Sequence, residues 1–434
     1  MNKFFTFGCG QGATKAMLHC IEEGTLQRED CCIVNSTQKD IPEEYRDGAI
    51  IISEDPDAGC GKVRSAAKKL MLNYLKGNPN VIPAMLDNGD YQYVNIMATT
   101  EGASGSGASV ILAKFIESQL DIPVIITLIS GFESDKRGLQ NTIEYFKDLN
   151  GGDFVVRTVS NKKYLDKTNN TFTAEKMANE DISTAFKIIS AYDIIDSEQN
   201  IDDTDHYKLI TNPGMMFVTE VLIDRKLKNP AQFEQLISDA IDYNTSLDFE
   251  PSATKIGVFM NISDDKLSVI DTNFTTIKKK LCGSNTVDEF FIHRQYNATV
   301  PEFVRIIASG MNLPKEELMD IYDKYQNTKS TSKKDDFFDS ISDMDTSSTE
   351  EKSTRTKNND FFSQFDADDS SEEDDIVIRR SKKRHSFSSS NESFNKTSVN
   401  TNDVTGGYEK KKNGFTAHKS ENRQPYSEDN MKGF

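Results

Sequence analysis

The sequence predicts an α/β protein with a parallel sheet, a smaller α+β second domain and an acidic tail. Three observations carry this. A glycine-rich stretch, Glu101-Gly102-Ala103-Ser104-Gly105-Ser106-Gly107, joins the apolar run Tyr93 to Ala98 to Ala108–Ser118, where Val110, Ile111, Leu112, Phe115 and Ile116 have helical spacing. A similar stretch, Gly8-Cys9-Gly10-Gln11-Gly12-Ala13-Thr14, follows a short strand, Lys3–Phe7, and opens a helix to about Glu23. After about Gln326, Ser, Thr, Asn, Asp, Glu and Lys dominate, and apolar residues are too few to offset the entropy of ordering.

Small residues between a strand and a helix let the backbone approach a ligand and aim several N–H groups at it. The helix N-terminus adds partial positive charge, which suits a phosphate chain. Taken alone, such a loop is more often a tight turn than a phosphate cradle. Gly8, Gly10 and Ala13 satisfy G-x-G-x-x-G/A, but the second strand, Cys31–Val34, ends in Asn35-Ser36-Thr37-Gln38 without the acidic residue a dinucleotide site uses on the ribose. The Walker pattern G-x-x-x-x-G-K-[ST] is absent.

At 434 residues the chain has room for two folded domains and more, and its net charge of −18 argues against broad nucleic-acid binding by the folded part. Met1–Phe7 lacks the apolar core of a signal peptide, and no apolar run approaches membrane-spanning length. The six cysteines form no CxxC pair and have no matching histidine spacing, so we expect free thiols in a reducing cytoplasm and no zinc site.

In this order, the segments resemble the tubulin/FtsZ superfamily. Gly8–Ala13 is similar to its first nucleotide loop, and Val34-Asn35-Ser36-Thr37-Gln38 to the N-T-D-A-Q loop of FtsZ. Ala58-Gly59-Cys60-Gly61-Lys62-Val63-Arg64 resembles the A-G-G-N-P-E-V-G loop that faces the terminal phosphate, one or two residues shorter. Glu101–Gly107 is similar to G-G-G-T-G-[ST]-G, with Glu101 and Ala103 in place of glycines and Ser104 in place of threonine. After the strand Ile122–Leu128, Gly131–Arg137 resembles P-F-x-F-E-G-x-x-R, which implies Glu133 on the ribose and Arg137 on the phosphates.

Val159–Leu165 is similar to I-x-N-x-x-L, which implies that Asn161 pairs with the guanine edge; by itself Asn161 is equally a turn cap. Asp181–Glu198 fits the long central helix, with Phe186 matching the aromatic that stacks on guanine and Ser190 standing where an asparagine is usual. Asn200-Ile201-Asp202-Asp203-Thr204-Asp205 matches N-x-D-x-x-D, the synergy loop that enters the next subunit's pocket, which implies that Asp202 and Asp205 act there. Outside that register such an acidic run is a solvated turn. Carboxylates suit the task, since phosphoryl transfer to water needs a positioned nucleophile and stabilised charge.

In the second domain, Lys255–Ile262, Glu289–His293 and Glu302–Ala308 read as strands, and Pro230–Asp242 and Asn273–Leu281 as helices. Pro314 opens an amphipathic helix with Leu318, Ile321, Tyr322 and Tyr325 on one face, a feature closer to tubulin and the plasmid and phage TubZ type than to FtsZ.

The resemblance covers about residues 3–326. It implies a GTP-binding domain at 1–180 (nucleotide contacts Gly8, Cys9, Gly10, Gln11, Gly12, Asn35, Gly59, Cys60, Gly61, Gly102, Ala103, Ser104, Gly105, Ser106, Glu133, Arg137, Asn161, Phe186 and Ser190). A central helix and synergy loop at 181–206 follow, then an activation domain at 207–326 and a disordered tail at 327–434.

It also implies GTP or GDP with Mg2+, head-to-tail self-assembly, and a role in moving plasmid or phage DNA through an adaptor. A divergent FtsZ in cell division and a nucleotide-bound scaffold with negligible hydrolysis are the alternatives. In the tail, Phe337-Phe338 and Phe361-Phe362 in acidic surroundings are either docking motifs or low-complexity drift. The basic run Arg379–Arg384 is either a charge-balancing patch or a handle for DNA, lipid or an acidic filament. The last residues lack the apolar and basic peptide by which FtsZ binds its membrane anchors.

Overall fold

The computed structural model describes residues 3–327 apart from 88, 150–151, 192–193, 196–200, 224–226, 245 and 271–272. The tail, its Phe pairs and its basic run, and Asn200 of the synergy segment lie outside the described residues.

The elements run β1 (Phe4–Cys9), α1 (Gly10–Glu22), β2 (Cys31–Asn35), β3 (Ile50–Ile51), α2 (Arg64–Gly77), α3 (Val81–Asp87), β4 (Tyr93–Thr99), α4 (Ala103–Phe115), β5 (Val124–Ser130), α5 (Lys136–Leu149), β6 (Val155–Ser160), α6 (Asn161–Thr168) and α7 (Thr171–Ile189). Then come α8 (Asp203–Ile210), β7 (Gly214–Leu222), α9 (Pro230–Asp242), β8 (Lys255–Asn261), α10 (Thr275–Cys282), β9 (Glu289–Gln295), β10 (Phe303–Met311) and α11 (Lys315–Asn327).

Among the described residues ten strands join one sheet in the order β3-β2-β1-β4-β5-β6-β7-β10-β8-β9. From β3 to β7 neighbours are parallel, β10 is antiparallel to both β7 and β8, and β9 returns parallel to β8. The order reverses between β1 and β4. At such a switch point the loops after the two strands diverge and leave a crevice at their carboxyl ends. Both glycine-rich stretches lie there.

The central parallel strands are buried on both faces, which their apolar runs require. One face packs on α4, α5 and α11, through Ile111, Phe146 and Tyr322 among others. The other packs on α1 and α7 through Met17, Ile182 and Phe186. Helix α4 is apolar on nearly every side because α2, α5 and the sheet enclose it. A separate core under β7, β8 and β10 is closed by α9 and α10, with Phe233, Ile237 and Ile277 at its centre.

The central helix differs from the expected Asp181–Glu198. It starts ten residues earlier, because Asn170 caps it by accepting from the Thr173 N–H (3.0 Å), and it ends at Ile189. The apolar spacing from Ile182 to Ile189 is real, but it belongs to the second half of that helix.

Candidate functional site: a cleft at the switch point

A cleft of about 540 Å³ lies at the crevice between β1 and β4, a volume typical of small-molecule sites. Its lining comes from six loops. Gly10, Gln11 and Gly12 follow β1; Asn35, Ser36 and Thr37 follow β2; Gly59, Cys60, Gly61 and Lys62 precede α2; and Glu101 to Gly105 follow β4. Gly131, Phe132 and Ser134 follow β5, and Asn161 opens α6.

The two glycine loops touch at the floor. A side-chain carbon on Gly10, whose φ is +78°, would stand 2.7 Å from the backbone nitrogen of Gly105. Only glycine allows that approach and that dihedral. Helices α1, α4 and α6 all begin at lining residues, so three partly positive N-termini converge on the cleft. Neither α1 nor α4 has a side-chain cap, and their first N–H groups are therefore open to an acceptor.

The hydroxyls of Ser36 and Ser104 lie 2.7 Å apart, and the Cys60 thiol beside them is pushed above its ordinary pKa by burial. Two asparagines point to what the cleft takes. Asn35 is buried, its Oδ1 accepts from the Ser36 N–H (2.8 Å), and its Nδ2 is a buried donor with no partner among the described residues. Asn161 presents a buried Oδ1 acceptor in the same condition. One cleft thus offers an unmet donor in the loop after β2 and an unmet acceptor at the start of α6. Buried polar groups left so are costly, and a ligand with matching groups removes the cost.

The remaining expected residues fall outside the lining. Gly8 and Cys9 belong to β1 beneath it, and Ser106 turns back to the Gly102 carbonyl (2.5 Å). Glu133 does not face the cleft. Its φ is +57°, its N–H donates to the Glu101 carboxylate (2.6 Å), and its own carboxylate pairs with Lys324 of α11. Glu101 takes the space instead: a side chain on Gly131 would collide with it, and burial raises its pKa. Arg137 is exposed on the first turn of α5.

Phe186 lies in the core, stacked on Phe4 at 5.8 Å, and Ser190 ends the helix with its hydroxyl on the Lys187 carbonyl. In their place Glu175 and Asn179, one turn apart on α7, line the cleft, as do Lys15 and Asp40. The sequence did carry a signal for them. The cap Asn170 starts a helix whose polar positions 175 and 179 share a face.

Asp202 and Asp205 are far from this cleft. Asp202 caps α8 by accepting from the Asp205 N–H (2.7 Å), and Asp205 pairs with Lys208 (3.1 Å). Leu209 and Ile210 of α8 share one core cluster with Phe4, Tyr93, Ile125 and Val155, which stand at the starts of β1, β4, β5 and β6. The cleft lies beyond the other ends of those strands. Helix α7, with 19 residues and so about 28 Å long, runs from one edge to the other.

An open α/β sheet with a cleft of uncapped helix N-termini at its switch point defines a nucleotide-site architecture. Its particular form is the tubulin/FtsZ fold, as solved structures show. The chain superposes on TubZ of Clostridium botulinum phage c-st with a TM-score of 0.54 at 14% identity, covering 75% of this chain and 96% of that one. A GTPγS-form protofilament of TubZ from Bacillus thuringiensis serovar israelensis gives 0.60 at 16% identity, with 75% and 92% covered. A GTPγS-bound protofilament of CetZ2 from Haloferax volcanii gives 0.59 at 16% identity, with 76% and 100% covered. No protein-family model matches the sequence, and neither does any curated protein.

Proposed function

We propose that the protein is a GTP-hydrolysing, self-polymerising tubulin-like cytoskeletal protein whose active site is completed between adjacent subunits. The observation that carries this is the separation of the cleft from Asp202 and Asp205 on opposite edges of the sheet. Within one chain the acids cannot serve the cleft. In a head-to-tail row each pair meets the next subunit's cleft, and protofilaments with GTPγS are described for the TubZ and CetZ2 structures.

The phosphates lie against the N-termini of α1 and α4, with Ser36, Ser104 and the Asn35 amide as donors. The base lies towards Asn161, Glu175 and Asn179. The incoming carboxylates orient a water and accept its proton, while the helix N-termini hold the charge that develops on the phosphates. Mg2+ accompanies the nucleotide. When bound, the ion would neutralise phosphate charge; among the described residues no group of three or more His, Cys, Asp or Glu is placed to hold a metal.

The likeness to a phage TubZ and the helix α11 after the last strand favour a filament that moves or positions plasmid or phage DNA through an adaptor. No helix among the described residues is long and apolar enough to cross a membrane. Pelleting with GTP alongside a phosphate-release assay tests the core of the reading. Polymer with phosphate release is expected. Polymer without release indicates a scaffold, and no GTP-dependent polymer refutes it.

A further inference from the structure

Helix α11 holds the lining of the cleft without entering it. Its apolar face, with Leu318, Ile321 and Tyr322, packs into the core shared with Ile143 and Phe146 of α5. Its polar ends reach further. Near the C-terminal end Lys324 pairs with Glu133, which stands in the loop after β5 between the lining residues Phe132 and Ser134. Near the N-terminal end the Glu317 carboxylate accepts from the Asp248 N–H (2.5 Å). The Lys163 ammonium in turn donates to the Asp248 carboxylate (2.5 Å) and to the Ser246 carbonyl (2.6 Å). Lys163 lies in the first turn of α6, two residues after the lining residue Asn161. The two ends of α11 are thus tied to the loop after β5 and to the start of α6, and both border the cleft.

The Lys324 contact differs from an ordinary surface pair. The lysine side chain is 50% exposed, but that of Glu133 is only 9% exposed. Exposed pairs contribute little, whereas a buried charge that loses its partner is costly and the segment carrying it moves. Glu133 is poised for that. Its φ of +57° is one a non-glycine residue adopts at a cost, and its N–H is held by the Glu101 carboxylate (2.6 Å). Glu101 is itself a lining residue and fills the space beside Gly131. Losing Lys324 therefore acts on a strained residue whose neighbours on both sides line the cleft.

We propose that Lys324 is a positioning residue for the nucleotide cleft: by holding Glu133 it lets α11 brace the loop after β5, and the docked helix sets how slowly a bound nucleotide leaves. This rests on the reading of the cleft as a guanine-nucleotide site. Residues 328–434 follow α11 directly in the chain, so a partner that draws α11 away from α5 through that segment speeds nucleotide exchange.

The test is the release of fluorescent GDP from full-length protein, below its polymerising concentration, after addition of excess unlabelled GDP. Lys324→Met should speed release about tenfold, the loss expected for one charge-assisted hydrogen bond. Lys324→Arg should restore most of the slow release. Glu133→Gln should speed release less, since no buried charge is stranded, and Lys324→Met should add nothing on top of it. Hydrogen exchange gives a second readout. Bound GDP should protect the amides of α11 in the wild type and not in Lys324→Met, because coupling between two sites is reciprocal. Unchanged or slower release in Lys324→Met overturns the proposal. So do additive effects of Lys324→Met and Glu133→Gln, which would mean a general loosening of α11. A wild-type protein that binds no GDP would refute the reading of the cleft, and the proposal with it.

Discussion

Asn35 and Asn161 give the cleft its polarity. An unmet buried donor calls for an acceptor such as a phosphate oxygen, and an unmet acceptor calls for an N–H such as guanine presents. Asn161→Ala should therefore weaken GTP binding by about 1–3 kcal/mol and narrow the preference over ATP. Asn35→Ala should weaken both nucleotides alike, because a phosphate contact ignores the base. Competition by ATP and GTP against a labelled nucleotide measures both, and equal effects of the two substitutions would remove the base-reading role from Asn161. The resemblance singled out both residues, and the structure places both on the cleft lining. Glu133 is not on it. Its loop lies beside the cleft, yet the side chain leaves for Lys324, a partner 191 positions along the chain that no local pattern reveals.

Among the elements, strands and the helices Pro230–Asp242 and Lys315–Asn327 were legible from apolar runs and proline starts. The register of α7 was not, because its apolar face continues past the residues that line the cleft and spacing alone does not fix where a helix begins. Helix α8 carries a testable consequence of its burial. His206 lies edge-on to Phe259 at 5.9 Å, and burial lowers its pKa from 6.5 to about 4, against the pull of Asp203. Between those values the unfolded chain binds more protons than the folded one, so stability rises with pH there. The contribution is complete above pH 6.5 and is lost as pH falls towards 4, by about 3 kcal/mol in all. His206→Leu should flatten this slope in urea unfolding followed across pH 4–7. An identical slope in variant and wild type would show that His206 does not carry it. Acid should loosen α8 first, and α8 holds Asp202 and Asp205.

For the whole molecule, one sheet sets the distance between the two halves of the site. The parallel strands from β1 to β6 put every lining loop at their carboxyl ends and α8 at their starts, while α7 spans the gap as a strut. On the proposed reading, catalysis by Asp202 and Asp205 requires a neighbour, and hydrolysis is then a property of polymer. Phosphate release per subunit should be negligible below the polymerising concentration and should rise with the polymer fraction above it. Asp205→Ala leaves the cleft intact, since among the described residues Asp205 bonds with the cap residue Asp202 and with Lys208 of α8. It should bind GTP and assemble as the wild type does, release phosphate orders of magnitude more slowly, and form filaments that persist. Sedimentation and phosphate release on the same samples separate these effects. A per-subunit rate independent of concentration would mean that hydrolysis needs no second subunit. Wild-type turnover in Asp205→Ala polymer would mean that another residue completes the site.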